Sequence, residues 1–194
     1  MKKILLALIF AVGSLGCWAE GHFMFEGVEM NGNLDAFIQQ MDTKGFRKLK
    51  VSKDGHSALL LGIYAKYACP TYVFSTDGEN MVYKVGVYMP SKSSWSELKK
   101  LYLEYRQSLI DKYGQPNSDY MDFSDGYADG DGRELEALYK DACSFYAYWW
   151  TELGTVTIGL NEDGADKGQI VTIFEDAANL KLQEVYEAKQ QKAE

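Results

Sequence analysis

The chain has 194 residues, of which 28 are acidic and 20 basic, and its formal net charge is −8 at neutral pH. An acid excess of this size argues against a nucleic-acid phosphate backbone as partner, because such binding rests on clustered Lys and Arg. The length suits one compact domain rather than two independent ones.

The first signal is at the N-terminus. Met1-Lys2-Lys3 leads into the apolar run from Ile4 to Val12, and Cys17-Trp18-Ala19 places small residues one and three before a cut. This is the layout of a secretory signal peptide over residues 1–19, too short for the roughly 20 apolar residues of a membrane span. The mature chain is then expected to start at Glu20, to be periplasmic or extracellular, and to carry no transmembrane span. A second reading stays open at the same place. Gly16-Cys17 resembles the end of a lipobox, with Ser14 where Leu is expected, and a lipid anchor at Cys17 would hold the protein to the envelope.

Asn33 is placed to cap a short helix whose stripe is Leu34, Phe37, Ile38 and Met41, with Gly45 as its stop. Strand-like runs rich in Val, Ile, Tyr and Phe follow at Ser57 to Lys66, Cys69 to Ser75 and Met81 to Tyr88. A second helix opens at Ser94 with Glu97 as its capping-box partner and carries Trp95, Leu98, Leu101, Tyr102, Tyr105 and Leu109 at helical spacing. Gly114 and Pro116 end it. Asp119 to Gly132 is polar and glycine-rich and reads as a loop, before a short helix over Glu134 to Lys140. Strands resume at Cys143 to Glu152, Thr155 to Leu160 and Gln169 to Phe174, and a weakly amphipathic helix is expected over 177–194.

Helix plus antiparallel meander thus occurs twice, in residues 20–90 and 91–176. The predicted fold class is α+β, with two tandem units sharing one curved sheet and the helices on one face. Each meander holds one cysteine, Cys69 or Cys143. An even thiol count in an oxidising compartment predicts a disulfide between them, contributing roughly 4 kcal/mol in the chain-entropy model. Two separate buried thiols are the alternative. Thiol catalysis is disfavoured, since the only histidines are His22, near the mature terminus, and His56, just after the turn pair Asp54-Gly55.

Several segments carry a resemblance: Phe25-Glu26-Gly27-Val28, Asn31-Gly32, Phe37, Lys44-Gly45-Phe46, Trp95, Tyr102 to Tyr105, Lys112-Tyr113-Gly114-Gln115-Pro116 and Phe174-Glu175-Asp176. Together they resemble a group of small secreted proteins of unknown function from gut anaerobes. The matching residues occupy capping, turn and core positions and imply no activity. The layout is also similar to that of the secreted β-lactamase inhibitor proteins, whose tandem helix-plus-meander repeats form a curved sheet that grips a partner. That likeness is architectural, and architecture does not license function.

The strongest local pattern is Cys143-Ser144-Phe145-Tyr146-Ala147-Tyr148-Trp149-Trp150. Alternation along a strand assigns Phe145, Ala147 and Trp149 to one face and Tyr146, Tyr148 and Trp150 to the other. Tyr64, Tyr72, Phe74 and Tyr88 join that second face if their strands lie in compatible register. Displayed, these rings would form a binding surface; covered by helices, they would be core. The acidic loop, with Asp122, Asp125, Asp129, Asp131 and Glu134 among three glycines, has hard-cation composition but misses the EF-hand template, which falls on Tyr127 and Leu138 at its first and last ligand positions. A solvated loop without metal is expected, and calcium at Asp125, Asp129 and Asp131 is the weaker alternative.

No dinucleotide, phosphate-loop, nucleophile-elbow or zinc pattern occurs, so no catalytic residue and no cofactor is assigned. The expectation is an exported, non-enzymatic module that holds a protein, peptide or glycan. An envelope structural or assembly lipoprotein and a hydrolase using the acidic-loop carboxylates stand as alternatives.

Overall fold

A computed structural model of the chain describes residues 21–191, so the expected signal peptide, the alternative anchor at Cys17 and the expected start at Glu20 lie outside the described residues. A small hairpin, β1 (Met24–Phe25) and β2 (Val28–Glu29), precedes helix α1 (Leu34–Thr43). The first meander is β3 (Arg47–Val51), β4 (Ser57–Tyr64), β5 (Tyr67–Ser75) and β6 (Val82–Tyr88). Helix α2 (Trp95–Tyr113) leads into the second half, β7 (Ser118–Phe123), helix α3 (Glu134–Tyr139), β8 (Cys143–Trp150), β9 (Gly154–Glu162) and β10 (Gly168–Asp176). Helix α4 (Ala177–Gln191) follows.

The fold is α+β, as the two-unit pattern predicts. All eight long strands join one antiparallel sheet in the order β3-β4-β5-β6-β10-β9-β8-β7, so each half is a meander and the halves meet where β10 pairs with β6. The caps form as read. Asn33 Oδ1 accepts from Ala36 N at 3.0 Å, Ser94 Oγ accepts from Glu97 N at 3.4 Å, and the α1 stripe Leu34, Phe37, Ile38 and Met41 is buried. Gly45, at φ +86, turns the chain so that Phe46 N donates back to Met41 O. Phe46 then lies so close over Gly62 that any Cβ there would meet its ring at 2.2 Å.

One face of the sheet is the core. Helices α1, α2 and α3 pack on it, α2 against β9 and β10 and α3 against β8 and β9. Under the first half lies a cluster of Phe25, Phe46, Tyr64, Tyr105 and Phe174; under the second, Trp95, Tyr102, Phe123 and Phe145. Trp149 is buried and its Nε1 donates to Gly114 O at 2.8 Å, tying β8 to the end of α2. The weak amphipathicity of the last helix has a structural counterpart. Helix α4 docks through amides, with Asn179 donating to Met30 O and Val82 O and Gln183 bonding the backbone and side chain of Asp77.

Two expectations are corrected. Cys69 and Cys143 are free, buried thiols. They lie on β5 and β8, with β6, β10 and β9 between, so four strand spacings of ~4.8 Å put them roughly 19 Å apart, against the 4.4–6.8 Å between Cα atoms that a disulfide requires. The segment read as loop from Asp119 onward is strand β7 as far as Phe123, and Arg47–Val51, for which no element was predicted, is strand β3. These are the two edges of the sheet.

Candidate interaction face

The sheet's second face is defined by register. One row crosses all eight strands, from Lys50 through Leu59, Tyr72, Gly86, Ile173, Thr157 and Tyr148 to Ser118. The next row carries Arg47, Leu61 and Pro70 on one side and Tyr88, Val171, Gly159, Tyr146 and Tyr120 on the other. A third adds Phe74, Lys84, Glu175, Thr155 and Trp150. Period-two alternation turns all of these side chains away from the core helices.

The rings predicted for this face are mostly here. Tyr72 is 38% exposed, Tyr146 39% and Trp150 53%, while Tyr148 and Tyr88 are half-buried against them. Trp149, one residue from Trp150, is 1% exposed on the opposite side. Tyr64 is the exception and is corrected: it is buried on the core face, with its hydroxyl against that of Tyr105. The two-residue turn Ala65-Lys66 pairs Tyr64 with Tyr67, and the register gives the outward place on β4 to Ile63.

The rings form three close pairs. Tyr72 and Tyr88 meet edge to face at 5.2 Å, Tyr148 and Trp150 do so at 5.4 Å, and Tyr120 stacks on Tyr146 at 4.6 Å. Tyr120, 50% exposed, belongs to this face although its polar, glycine-rich segment reads as a loop from sequence. Between the aromatic pairs, Gly86, Ile173, Val171, Gly159 and Thr157 form a floor of low side chains. A Cβ added at Gly159 would make only ordinary contacts, with Phe145 O at 3.5 Å and Tyr146 Cβ at 3.6 Å, so the position is low without being strained.

Charge on this face is sparse. Lys84 and Glu175 pair at 2.9 Å. Burial pulls the Lys84 ammonium down, and the Glu175 carboxylate beside it outweighs that and leaves its pKa raised. The edges differ in sign: β3 carries Arg47, Lys48 and Lys50, and β7 carries Asp119, bridged to Arg106 of α2, and Asp122.

The acidic loop lies elsewhere. Asp129 accepts from Trp95 Nε1 and the Lys99 ammonium, and Asp131 from the backbone of Ala128 and Arg133. These bonds hold both carboxyls below the usual range, Asp129 chiefly through Lys99 and Asp131 chiefly through the Arg133 N–H. Glu134 accepts from Gly130 N at 2.8 Å. The carboxylates thus shape the turn, Asp125 accepts from Ser124 Oγ at 3.3 Å, and among the described residues no group of three ligating side chains is poised for a metal ion. Also among the described residues, no helix is long and apolar enough to cross a membrane.

No protein-family model matches the chain, and neither a curated protein nor a solved structure does. No enzyme family is therefore indicated, and the resemblances drawn from the sequence are neither strengthened nor weakened.

Proposed function

We propose that this chain is an exported, non-enzymatic binding module that holds a protein, peptide or glycan against the outer face of its sheet. One observation carries the reading: an eight-stranded sheet has its core helices on one face and exposes paired Tyr and Trp rings on the other. Tyr and Trp supply large contact area at low cost in side-chain entropy and are enriched where partners bind. A leader of secretory type supports export. The hydrolase alternative loses ground because the acidic-loop carboxylates are engaged in building their own turn.

The test is capture by immobilised protein of a glycan array, a peptide library and native envelope extract, comparing wild type with Trp150→Ala and with Tyr139→Ala. Tyr139 is 51% exposed on α3, away from this face. A ligand lost with Trp150→Ala, at a cost of about 2 kcal/mol or more, and kept with Tyr139→Ala supports the reading. Capture that is indifferent to Trp150 overturns it.

A further inference from the structure

We propose that the occupant of the outer face is a second copy of this chain, packed face to face about a twofold axis that runs along the strands between β6 and β10. This rests on the reading of that face as an interaction surface and names what covers it.

The strand order makes such a pairing self-complementary. Turning one sheet over about this axis lays β3 of one copy on β7 of the other, β4 on β8, β5 on β9 and β6 on β10. Bulk then meets space. The Tyr72 ring of β5 comes over the Thr157 and Gly159 floor of β9, and Leu59 and Leu61 of β4 cover Tyr148 and Tyr146 of β8, since each pair shares a row.

Charge selects this axis over the alternative. Arg47 shares a row with Tyr120, so in the pair its guanidinium comes over the partner copy's Tyr120 ring and within a side chain's reach of the carboxylate of Asp122, once on each side of the axis. A twofold axis across the strands would instead set β3 on β3 and β7 on β7, like charge on like. Among the outward residues of the six inner strands, Lys84 and Glu175 are the only charged ones, and they neutralise each other. The acid excess of the whole chain therefore does not oppose closure of this face.

The area is of the right order. Eight strands ~4.8 Å apart, each presenting about three outward residues ~6.8 Å apart, make a face of about 600 Å² in projection, with a larger accessible area. A standard interface takes roughly 800 Å² from each partner, and two sheets stack face to face about 10 Å apart.

The experiment is sedimentation equilibrium of the mature chain at low salt, from about 1 to about 200 μM. The wild type should pass from monomer to dimer over a range of this kind. Arg47→Glu alone or Asp122→Arg alone sets like charges opposite each other and should weaken the dimer about tenfold. Arg47→Glu combined with Asp122→Arg should restore it to within about threefold of wild type. Tyr146→Ala should also weaken it, and circular dichroism checks that every variant is folded.

A folded wild type that stays monomeric at the highest concentration overturns the proposal. So does a dimer in which the combined variant is no better than the single ones. A monomer that still captures a foreign ligand through Trp150 overturns the second copy as occupant while leaving the broader binding reading intact.

Discussion

Trp149 and Trp150 are adjacent in the chain and experience different solvents. Trp149 is sealed on the core face with its indole N–H bonded to the end of α2, whereas Trp150 stands more than half exposed on the outer face. The same contrast runs the width of the sheet. Its inner side is built from Val, Phe, Ile and Thr under three helices, and its outer side from rings and low residues under none of those three. Exposed aromatic area of this extent is uncommon on a surface with no partner, whereas a buried ring needs no explanation beyond packing. The difference between the faces therefore separates residues kept for stability from residues free to serve contact.

Substitutions at neighbouring positions test that separation. Trp149→Ala should cost about 3–5 kcal/mol in chemical denaturation, as for other buried aromatics, with the Gly114 carbonyl losing its donor as well. The acidic neighbours at the end of β10 should behave in the same unequal way. Asp176 is fully buried and accepts from Phe23 N at 2.7 Å and Asn179 N at 2.8 Å, so Asp176→Ala should cost about 3 kcal/mol. Glu175 points outward to Lys84 and Thr155, and Glu175→Ala should cost about half as much, roughly 1.5 kcal/mol. Equal losses at 175 and 176 would erase the distinction between the faces.

A pH titration reaches the thiols of the inner face first, before the raised Lys84, Tyr88 and Tyr146 of the outer face begin to titrate. Burial pushes the Cys69 thiol up to about 11 and the Cys143 thiol up to about 12, the latter helped by the nearby Asp129 and Glu134 carboxylates. Between the ordinary thiol value near 9 and these values the folded state holds protons that the unfolded state has released. Stability should therefore fall as pH rises above about 9, with buried tyrosines such as Tyr102 and Tyr105 adding to the same limb. Both thiols should resist alkylation in the folded protein, titrate as two free thiols in denaturant, and leave the melting temperature indifferent to reductant. Stability that drops on adding reductant would restore the disulfide.

The smallest effects are expected on the outside. Trp150→Ala should cost only about 1 kcal/mol, chiefly the edge-to-face pair with Tyr148, while removing contact. Calcium and chelator should leave the melting temperature unmoved, whereas occupancy at 100 times a dissociation constant would add about 2.7 kcal/mol.

The features legible from the sequence were those written in local chemistry. Asn33 and Ser94 cap because a side-chain oxygen three residues ahead of an orphan N–H needs no tertiary partner. The assignment of faces on β8 was equally local, because period-two alternation sets Phe145, Ala147 and Trp149 apart from Tyr146, Tyr148 and Trp150. On β4 the same logic fails: Ala58 and Leu60 face inward while Leu59, Leu61 and Ile63 face outward, so apolar residues occupy both parities and the face of Tyr64 is ambiguous. Strands β3 and β7 escaped notice for an edge-specific reason. Bonded on one side only, they carry Arg47, Lys48, Lys50, Asp119 and Asp122 in place of alternating hydrophobes, a composition that also discourages edge-to-edge aggregation. The disulfide failed because the distance between Cys69 and Cys143 is set by the order of strands, which cysteine spacing does not encode.

The insertion of β10 between β6 and β9 has a consequence for how the molecule is made. Of the sheet's eight strands β10 leaves the ribosome last, yet it occupies a central position. Until it arrives, β6 and β9 each present a bare row of amide and carbonyl groups, and neither meander can seal. Its closing residue, Asp176, also binds Phe23 N across nearly the whole chain, so the start of the domain cannot lock until its final strand is in place. Assembly is therefore gated by the C-terminal strand, which makes the nascent chain slow to mature and prone to mispairing while it waits. A stop codon placed just before residue 168 would leave two incompatible half-sheets instead of a slightly shortened protein.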